Sequence, residues 1–365
     1  MDKKILIAGF GSAGSFALEY LARTPGIEGH KIIVGTRSTD EALALINTIK
    51  VSAAIMGFYP DISLVKMDLG DVDRTAETLA EMKPDIIAYT ARFIKGVKYG
   101  QYSYPNQIGY GAWIALSLPL IYKLMLAVKK SGVETKVINS SFPDGVCPAL
   151  KSAGLEPFCG AGNLNHLVPR IQAAVAGYKK IPAGRVKVVM IGSHFLNTYV
   201  SREASAKGSP YYMRCTVDGE PFNEISDEEI FKLSKIPTAS GPPRNMMIAS
   251  DMVKIIQAVV FDQNYFMHIP GPEGLAGAYP ARVSAAGAAL ELPADISRSR
   301  AEEINRASLS FDGIKDIREG RIYFCGDIID KMKKIFGLNY PECIKLEECE
   351  AFAYEIKEAL SRYRP

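Results

Sequence analysis

Apolar residues in the first 150 positions follow two alternating patterns. Short runs rich in β-branched residues predict strands at Lys4–Ala8, Lys31–Gly35, Val65–Asp68, Ile86–Thr90 and Thr135–Asn139. Stretches with apolar residues every three to four positions predict helices between them, at Gly14–Ala22, Asp40–Lys50, Arg74–Met82 and Ala112–Lys130. Strands that alternate with helices build parallel sheets with right-handed crossovers, so this half of the chain predicts a doubly wound sheet.

The second half of the chain does not keep this alternation. Its patterns predict a strand, a helix, a hairpin and an amphipathic C-terminal helix, at Val186–Ile191, Ser250–Val260, Ala278–Ser284 with Ala288–Leu292, and Lys345–Arg362. A chain of 365 residues usually has more than one hydrophobic core. We therefore expect an α/β protein with a Rossmann doubly wound parallel sheet in residues 1–150, followed by a mixed α+β domain in residues 151–365.

Composition and charge narrow the class of partner. The chain is 48% hydrophobic and carries a net charge of +3, from 43 basic and 40 acidic residues, which argues against nucleic acid or an anionic membrane as the main partner. The most apolar window, Trp113–Val128, contains Pro119 and Lys123, so it predicts a buried helix rather than a membrane span. None of the six cysteines forms a C-x-x-C pair, which predicts reduced thiols, no zinc site and a cytoplasmic protein.

A glycine-rich turn follows the first predicted strand and opens the first predicted helix. It reads G-x-G-x-x-G, and it comprises Gly9, Phe10, Gly11, Ser12, Ala13 and Gly14. In this context Gly9 permits the tight turn, Gly11 lets backbone approach a pyrophosphate, and Gly14 allows close packing of helix on strand. The helix N-terminus then offers free N–H groups to the phosphates, so this segment predicts a dinucleotide site.

The end of the second predicted strand indicates which dinucleotide is bound. NAD binders carry an acidic residue here for the ribose 2′-OH, whereas this strand ends in Thr36, Arg37 and Ser38 without a carboxylate. Arg37 can pair with a 2′-phosphate, so we expect NADP, and NAD less. Asp68 either lies near the adenine or caps the next helix. Further candidate cofactor ligands follow the fourth and fifth strands, at Thr90, Ala91 and Asn139.

Four segments resemble the lactate and malate dehydrogenases. Val137–Asp144 resembles their strand that ends in Asn-Pro, and Gly160–Arg170 resembles their G-x-x-L-D-x-x-R segment. Val189–His194 is similar to their G-x-H segment, and Lys345–Leu360 to their C-terminal helix. The resemblance spans nearly the whole chain. It implies a divergent member of this superfamily, a dehydrogenase or reductase that uses NAD(P), acts on a small substrate with a carboxylate, and forms a homodimer or homotetramer.

The resemblance also implies catalytic residues. His194 would be the general acid/base, since an imidazole titrates near neutrality. Arg170 would clamp the substrate carboxylate in bidentate fashion. Arg92, in the loop that covers the substrate in the resembling family, would polarise the carbonyl, with Lys95 and Lys98 as alternatives.

Two departures from the family pattern are important. Asn165 stands where the family has the aspartate that orients its histidine, so we expect His194 to lack a charged partner. The separation between Asn165 and Arg170 is also two residues longer than that of the corresponding pair in the family. A bulkier or different substrate, such as an imine, is therefore a further expectation.

Three alternative functions remain open. Opine- and saccharopine-type dehydrogenases combine a similar first domain with a divergent second one. Family 4 glycoside hydrolases bind NAD and hold a metal with a cysteine and a histidine, which Asn165-His166 and His194 with Cys147 or Cys159 could mimic. A dinucleotide-sensing protein without catalysis is the third. We expect a dehydrogenase without a metal, and short-chain reductases are disfavoured because no Y-x-x-x-K pair occurs.

Overall fold

A six-stranded parallel sheet forms the centre of the computed structural model, which describes residues 2–94 and 99–363. The strands lie in the order β3-β2-β1-β4-β5-β6, which is the doubly wound order of dinucleotide-binding proteins. Their bounds are β1 Lys4–Ala8, β2 Lys31–Thr36, β3 Asp61–Lys66, β4 Ile86–Tyr89, β5 Lys136–Asn139 and β6 Cys159–Gly160. The predicted fold class is confirmed.

The third strand begins earlier than its sequence suggests. We predicted Val65–Asp68, whereas β3 pairs with β2 from Asp61 opposite Lys31 to Lys66 opposite Thr36. The prediction was wrong because the polar residues Asp61 and Ser63 lie within the strand and interrupt its apolar run. Asp68 consequently lies beyond the strand, in the connection to the next helix.

Helices cover both faces of the sheet. They are α1 Ser12–Ala22, α2 Thr39–Ile55, α3 Val72–Met82, α4 Tyr99–Ser103, α5 Ile114–Ser131, α6 Pro143–Ser152 and α7 Leu164–Lys179. Helix α5 belongs to an apolar helical stretch, Tyr110–Ser131, that could cross a membrane by length and composition alone, but 78% of its most apolar window is buried inside the protein. The prediction of a buried helix here agrees with that packing.

Three small antiparallel sheets follow the parallel sheet, in the orders β7-β8-β9, β10-β11-β12 and β13-β14-β15. Their strands are β7 Val186–Ile191, β8 Tyr212–Val217, β9 Glu220–Pro221, β10 Tyr265–Pro270, β11 Ala278–Val283, β12 Ala288–Leu290, β13 Ile314–Arg318, β14 Arg321–Phe324 and β15 Cys343–Lys345. The helices are α8 His194–Glu203, α9 Asp227–Leu233, α10 Asn245–Val260, α11 Arg298–Ser308, α12 Gly326–Phe336 and α13 Cys349–Arg362. The predicted hairpin is present as the antiparallel pair β11 and β12.

One hydrophobic core joins the beginning and the end of the chain. Ile121 of α5, on one face of the parallel sheet, shares a buried cluster with Phe352, Ile356 and Leu360 of α13. The parallel sheet also extends to Gly160, ten residues past the predicted end of the first domain. The domain division at residue 150 stays a prediction.

Candidate active site

The glycine-rich turn is held in place by hydrogen bonds from the neighbouring strands. The N–H of Gly9 donates to the Gly35 carbonyl at 2.9 Å, and the Thr90 hydroxyl donates to the Gly9 carbonyl at 2.6 Å. Gly9 has φ +101°, and a Cβ there would lie 2.6 Å from Ala91. A Cβ on Gly14 would lie 2.4 Å from the Gly9 carbonyl oxygen, so both glycines are required by the protein itself.

Gly11 is different, because a Cβ built on it meets no protein atom within 4 Å. It lies at the cap of α1, whose first residues are Ser12 and Ala13. The space beside it and the N–H groups at the start of α1 fit a dinucleotide pyrophosphate. The Ser12 hydroxyl also accepts a hydrogen bond from Asn245, which brings the start of α10 over this turn.

The end of β2 presents Arg37 and Ser38 to solvent, while Thr36 is half-buried. Among the described residues, the Arg37 guanidinium has no ion-pair or hydrogen-bond partner, so it is available to a phosphate. Asp68 accepts a hydrogen bond from the Gly70 N–H, whereas Asp71 caps α3. The alternative that Asp68 caps this helix is therefore wrong, and its place near the adenine stays a prediction.

Asn139 does not offer its side chain to a cofactor. It is fully buried, its amide donates to the Ser141 carbonyl at 3.2 Å, and its carbonyl oxygen accepts from the Ser141 N–H at 2.9 Å. Its amide therefore shapes the turn after β5 and is not exposed to a ribose, contrary to our expectation. Thr90 and Ala91 lie against the glycine turn, as described above.

His194 begins α8 and lies among aromatic and acidic side chains. Its Nδ1 is 3.4 Å from Oδ1 of Asp312, and its Nε2 is 3.5 Å from the Thr198 hydroxyl. The rings of Tyr110 and Phe142 lie 4.3 and 5.3 Å from the imidazole, measured between centroids. The expectation that His194 lacks a carboxylate partner is therefore wrong.

A second carboxylate fixes the backbone of His194. Oδ1 of Asp144 accepts a hydrogen bond from the His194 N–H at 2.8 Å, and its other oxygen accepts from Asn163. Burial raises the pKa of Asp144 to about 6, although the charge of His194 and the Asn163 hydrogen bond oppose this effect. Asp144 thus positions the start of α8, while Asp312 faces the imidazole.

No motif or spacing in the sequence identifies Asp312 as the partner of His194. These two residues are 118 positions apart, and Asp312 ends a short 3-10 helix, Leu309–Asp312, before β13 rather than lying in a family motif. Its Oδ1 also accepts the Tyr110 N–H at 3.1 Å, which places the carboxylate. Only the tertiary structure brings these residues together.

Asn165 takes part in a different pair. Its amide donates to Oδ1 of Asp251, and Oδ2 of Asp251 lies 3.4 Å from Nε2 of His166. Burial lowers the pKa of His166 to about 4, with a further contribution from the charge of Arg244, and raises the pKa of Asp251 to about 7. Asn165 therefore contacts this buried pair, and the side chain that lies beside the His194 imidazole is Asp312, not Asn165.

The structure describes two of the four candidate substrate cations, Arg170 and Arg92. Arg170 is buried, and it donates to the Ile236 carbonyl at 2.7 Å and to the Thr238 hydroxyl at 3.1 Å. These bonds engage both of its terminal nitrogens, so the guanidinium already supports the segment after α9. Arg92 is exposed just after β4. Lys95 and Lys98 lie outside the described residues.

Residues 2–94 and 99–363 contain no cluster of side chains suited to a metal ion. No group of three or more His, Cys, Asp or Glu side chains there is arranged to hold an ion. Cys147 and Cys159 are buried, and burial raises the pKa of each thiol, that of Cys147 to about 12. A thiol in that state is a poor metal ligand at neutral pH.

Comparison with solved structures gives the fold. Malate dehydrogenase from Plasmodium falciparum is 18% identical with a TM-score of 0.57, and the match covers 85% of this chain and 96% of that one. Lactate dehydrogenase from Eimeria maxima, solved with NADH and oxamate, is 13% identical with a TM-score of 0.59. The match covers 85% of this chain and 92% of that one. Malate dehydrogenase from Salinibacter ruber is 14% identical with a TM-score of 0.55, and the match covers 91% of this chain and 98% of that one.

The chain has the lactate/malate dehydrogenase fold. No protein-family model and no curated protein sequence matches it. The predicted resemblance is thereby confirmed for the architecture. In a doubly wound sheet, ligands bind beyond the carboxyl ends of the strands, and the glycine turn after β1 lies at that edge of the dehydrogenase-like sheet.

Proposed function

We propose that the protein is an NADP-dependent oxidoreductase that transfers hydride between the nicotinamide and a 2-hydroxy or 2-oxo acid. The observation that carries this proposal is the His194–Asp312 pair, with Nδ1 and Oδ1 3.4 Å apart, in a chain that also has the glycine turn of a dinucleotide site. Solved proteins of the same fold include a lactate dehydrogenase complexed with lactic acid and nicotinamide adenine dinucleotide.

The residues around His194 fit proton transfer to a substrate oxygen. The Nδ1–H of His194 donates a hydrogen bond to Asp312, so Nε2 is the atom that gives or takes a proton, and the charge of Asp312 stabilises the imidazolium. The bound nicotinamide supplies or accepts the hydride at its C4. When the substrate carbonyl is reduced, His194 gives its proton to the oxygen; in the reverse direction, it removes the hydroxyl proton.

Support for NADP comes from the end of β2. Arg37 is exposed there, and no carboxylate occupies Thr36, Arg37 or Ser38, where one would repel a 2′-phosphate. The neighbours from Eimeria maxima and Plasmodium falciparum were solved with NADH and the one from Cryptosporidium parvum with NAD, so this preference would distinguish the protein from them.

The proposal is tested by following NADPH oxidation at 340 nm with a panel of 2-oxo acids, and NADP⁺ reduction with the matching 2-hydroxy acids. We expect turnover of at least one pair, with a higher kcat/KM for NADPH than for NADH. Tight NADPH binding, measured by fluorescence, without turnover of any 2-oxo acid would contradict the activity and favour a dinucleotide-sensing protein.

A further inference from the structure

The imidazole of His194 has little contact with solvent, since only 13% of its side chain is exposed. Its Nδ1 is 3.4 Å from Asp312, and the rings of Tyr110 and Phe142 lie 4.3 and 5.3 Å away between centroids. These contacts leave Nε2 as the atom for proton transfer. The group beside Nε2 therefore determines how a substrate oxygen can exchange a proton with it.

The hydroxyl of Thr198 lies beside Nε2. Thr198 comes four residues after His194 on α8, and residues with this spacing share one side of a helix. Its oxygen is 3.5 Å from Nε2, and within residues 2–94 and 99–363 it has no other hydrogen-bond partner. Hydrogen bonds of catalytic groups are often this long without substrate and shorten when it binds. The hydroxyl thus faces the reacting atom of the general acid.

Two other helical threonines use their hydroxyls differently. Thr48 on α2 and Thr78 on α3 donate to the carbonyls four residues earlier, at 3.0 and 2.8 Å. This local bond is a common one for a threonine inside a helix. The Thr198 hydroxyl is directed to the imidazole of His194 instead. Its orientation therefore differs from the local pattern at the helix that carries the general acid.

A hydroxyl suits both protonation states of the imidazole, because it has one O–H donor and two acceptor lone pairs. With Nδ1–H held by Asp312, the neutral imidazole accepts the Thr198 O–H at Nε2. The imidazolium instead donates its Nε2–H to the Thr198 oxygen. Thr198 is half-buried, so its hydroxyl can also meet a second oxygen that enters from outside.

We propose that Thr198 is a catalytic residue that relays the proton between Nε2 of His194 and the substrate oxygen. This inference rests on the proposed function and adds a residue to its proton path. In carbonyl reduction, the substrate oxygen takes the Thr198 hydroxyl proton, and the Thr198 oxygen takes the Nε2 proton. The carbonyl carbon accepts the hydride that NADPH gives up. Thr198 ends as a hydroxyl, His194 as a neutral imidazole and the substrate as an alcohol, and oxidation reverses each transfer.

Two substitutions separate the hydroxyl from the shape of the side chain. Thr198→Val removes the hydroxyl and keeps the branched shape, so it should lower kcat by about 10- to 100-fold, the size of a lost hydrogen bond to a charged group. Thr198→Ser keeps the hydroxyl and should retain most of the activity. Thr48→Val, at an exposed position of α2, should keep the wild-type kcat. Wild-type kcat in Thr198→Val, or equally low kcat in both Thr198 variants, would overturn the relay.

The solvent isotope effect distinguishes a relay from a purely structural role. Transfer through Thr198 moves two protons in the same step. The rate of single-turnover NADPH oxidation should therefore follow a curve, and not a straight line, as the fraction of heavy water increases. Thr198→Val should change that curve to a straight line, because direct transfer from Nε2 moves one proton. A straight line for the wild type would overturn the relay.

A measurement without turnover separates this inference from the proposed activity. Nitrogen NMR of protein with isotope-labelled histidine, assigned with His194→Gln, shows whether Nε2 accepts a hydrogen bond. At alkaline pH, Thr198→Val should move the Nε2 resonance toward that of a free imidazole nitrogen, and Thr198→Ser should leave it near the wild type. This pattern without turnover of any 2-oxo acid would contradict the oxidoreductase and keep Thr198 as the partner of Nε2. An Nε2 resonance unchanged in Thr198→Val would overturn the inference in an active enzyme as well.

Discussion

The glycine turn and the surroundings of His194 are organised by different kinds of contact. At the glycine turn, the residues that matter lie within one strand–turn–helix unit, and the nearest supports, Gly35 and Thr90, end the adjacent strands. At the other end, His194 depends on Asp144 and Asp312, which come from distant parts of the chain. The first region is local in sequence, and the second exists only in the folded protein.

This difference predicts that substitutions at one end leave the other intact. The strongest case is Gly11→Val, which should abolish measurable dinucleotide binding because the side chain enters the pyrophosphate space. Since a Cβ here meets no protein atom within 4 Å, the variant should fold. Fluorescence titration with NADPH and the melting temperature measure the two effects. Retained NADPH affinity in a folded Gly11→Val protein would show that the turn binds something else.

His194→Gln should have the next largest effect, at the opposite end. Loss of the general acid should lower kcat by roughly 10²–10⁴. The Kd for NADPH should stay near the wild-type value, because the imidazole contacts Asp312, Thr198 and two aromatic rings rather than the glycine turn. Steady-state kinetics on the true substrate, with a parallel NADPH titration, measures this. Full turnover of the variant would remove the proposed mechanism and leave only the fold.

Asp312→Asn tests which residue orients the imidazole. The loss of its negative charge should lower kcat by roughly 10–10³, less than removal of the imidazole itself. The matched substitution Asn165→Asp should not restore this activity, because Asn165 contacts Asp251 instead of His194. The double variant Asp312→Asn with Asn165→Asp therefore distinguishes the two assignments. Recovery of kcat in that double variant would return the orienting role to position 165.

Arg37→Ala tests the cofactor preference without touching the substrate end. It should weaken NADPH binding by about 1.5–3 kcal/mol, the value of a charged hydrogen bond, and leave NADH binding nearly as it was. Titration of both cofactors, with Arg74→Ala as an exposed control, provides the measurement. Equal weakening of NADPH and NADH would contradict recognition of the 2′-phosphate by Arg37.

The smallest effect concerns the His166–Asp251 pair. With a pKa of about 4 for His166 and about 7 for Asp251, the folded pair holds one proton, on the carboxyl, between these values. The unfolded chain also holds one proton over most of this range, on the imidazole, since His titrates near 6.5 and Asp near 3.9. The two contributions to the pH dependence of stability therefore cancel between about pH 4 and 6.5.

Asp251→Asn should remove that cancellation. Only His166 then titrates, and its lowered pKa means that the unfolded state binds the extra proton between about pH 4 and 6.5. The free energy of unfolding should accordingly rise with pH in this window, relative to the wild type, by at most about 1.4 kcal/mol per pH unit. Urea unfolding at several pH values measures it. If the difference in the free energy of unfolding between variant and wild type stays constant from pH 4 to 6.5, the folded His166–Asp251 pair does not hold one proton in this range.

The sequence carried enough information for the parallel sheet and the glycine turn because their signals are periodic and local. Strand β1 and the run from Gly9 to Gly14 have the predicted bounds and context. It could not identify Asp312, since no spacing relates that residue to His194. Asn139 and Asn165 were assigned to contacts that they do not make, because the burial and the partners of a side chain depend on the tertiary structure.

The core shared by α5 and α13 bears on how the protein can be divided. Phe352, Ile356 and Leu360 pack in the same buried cluster as Ile121, so the last helix completes the face of the first sheet. An excised nucleotide-binding fragment ending near residue 150 would leave that face bare to water, and an exposed apolar patch of this kind drives aggregation. Cofactor-binding experiments therefore require the whole chain, and fusion partners are better attached at the termini than inserted between the halves.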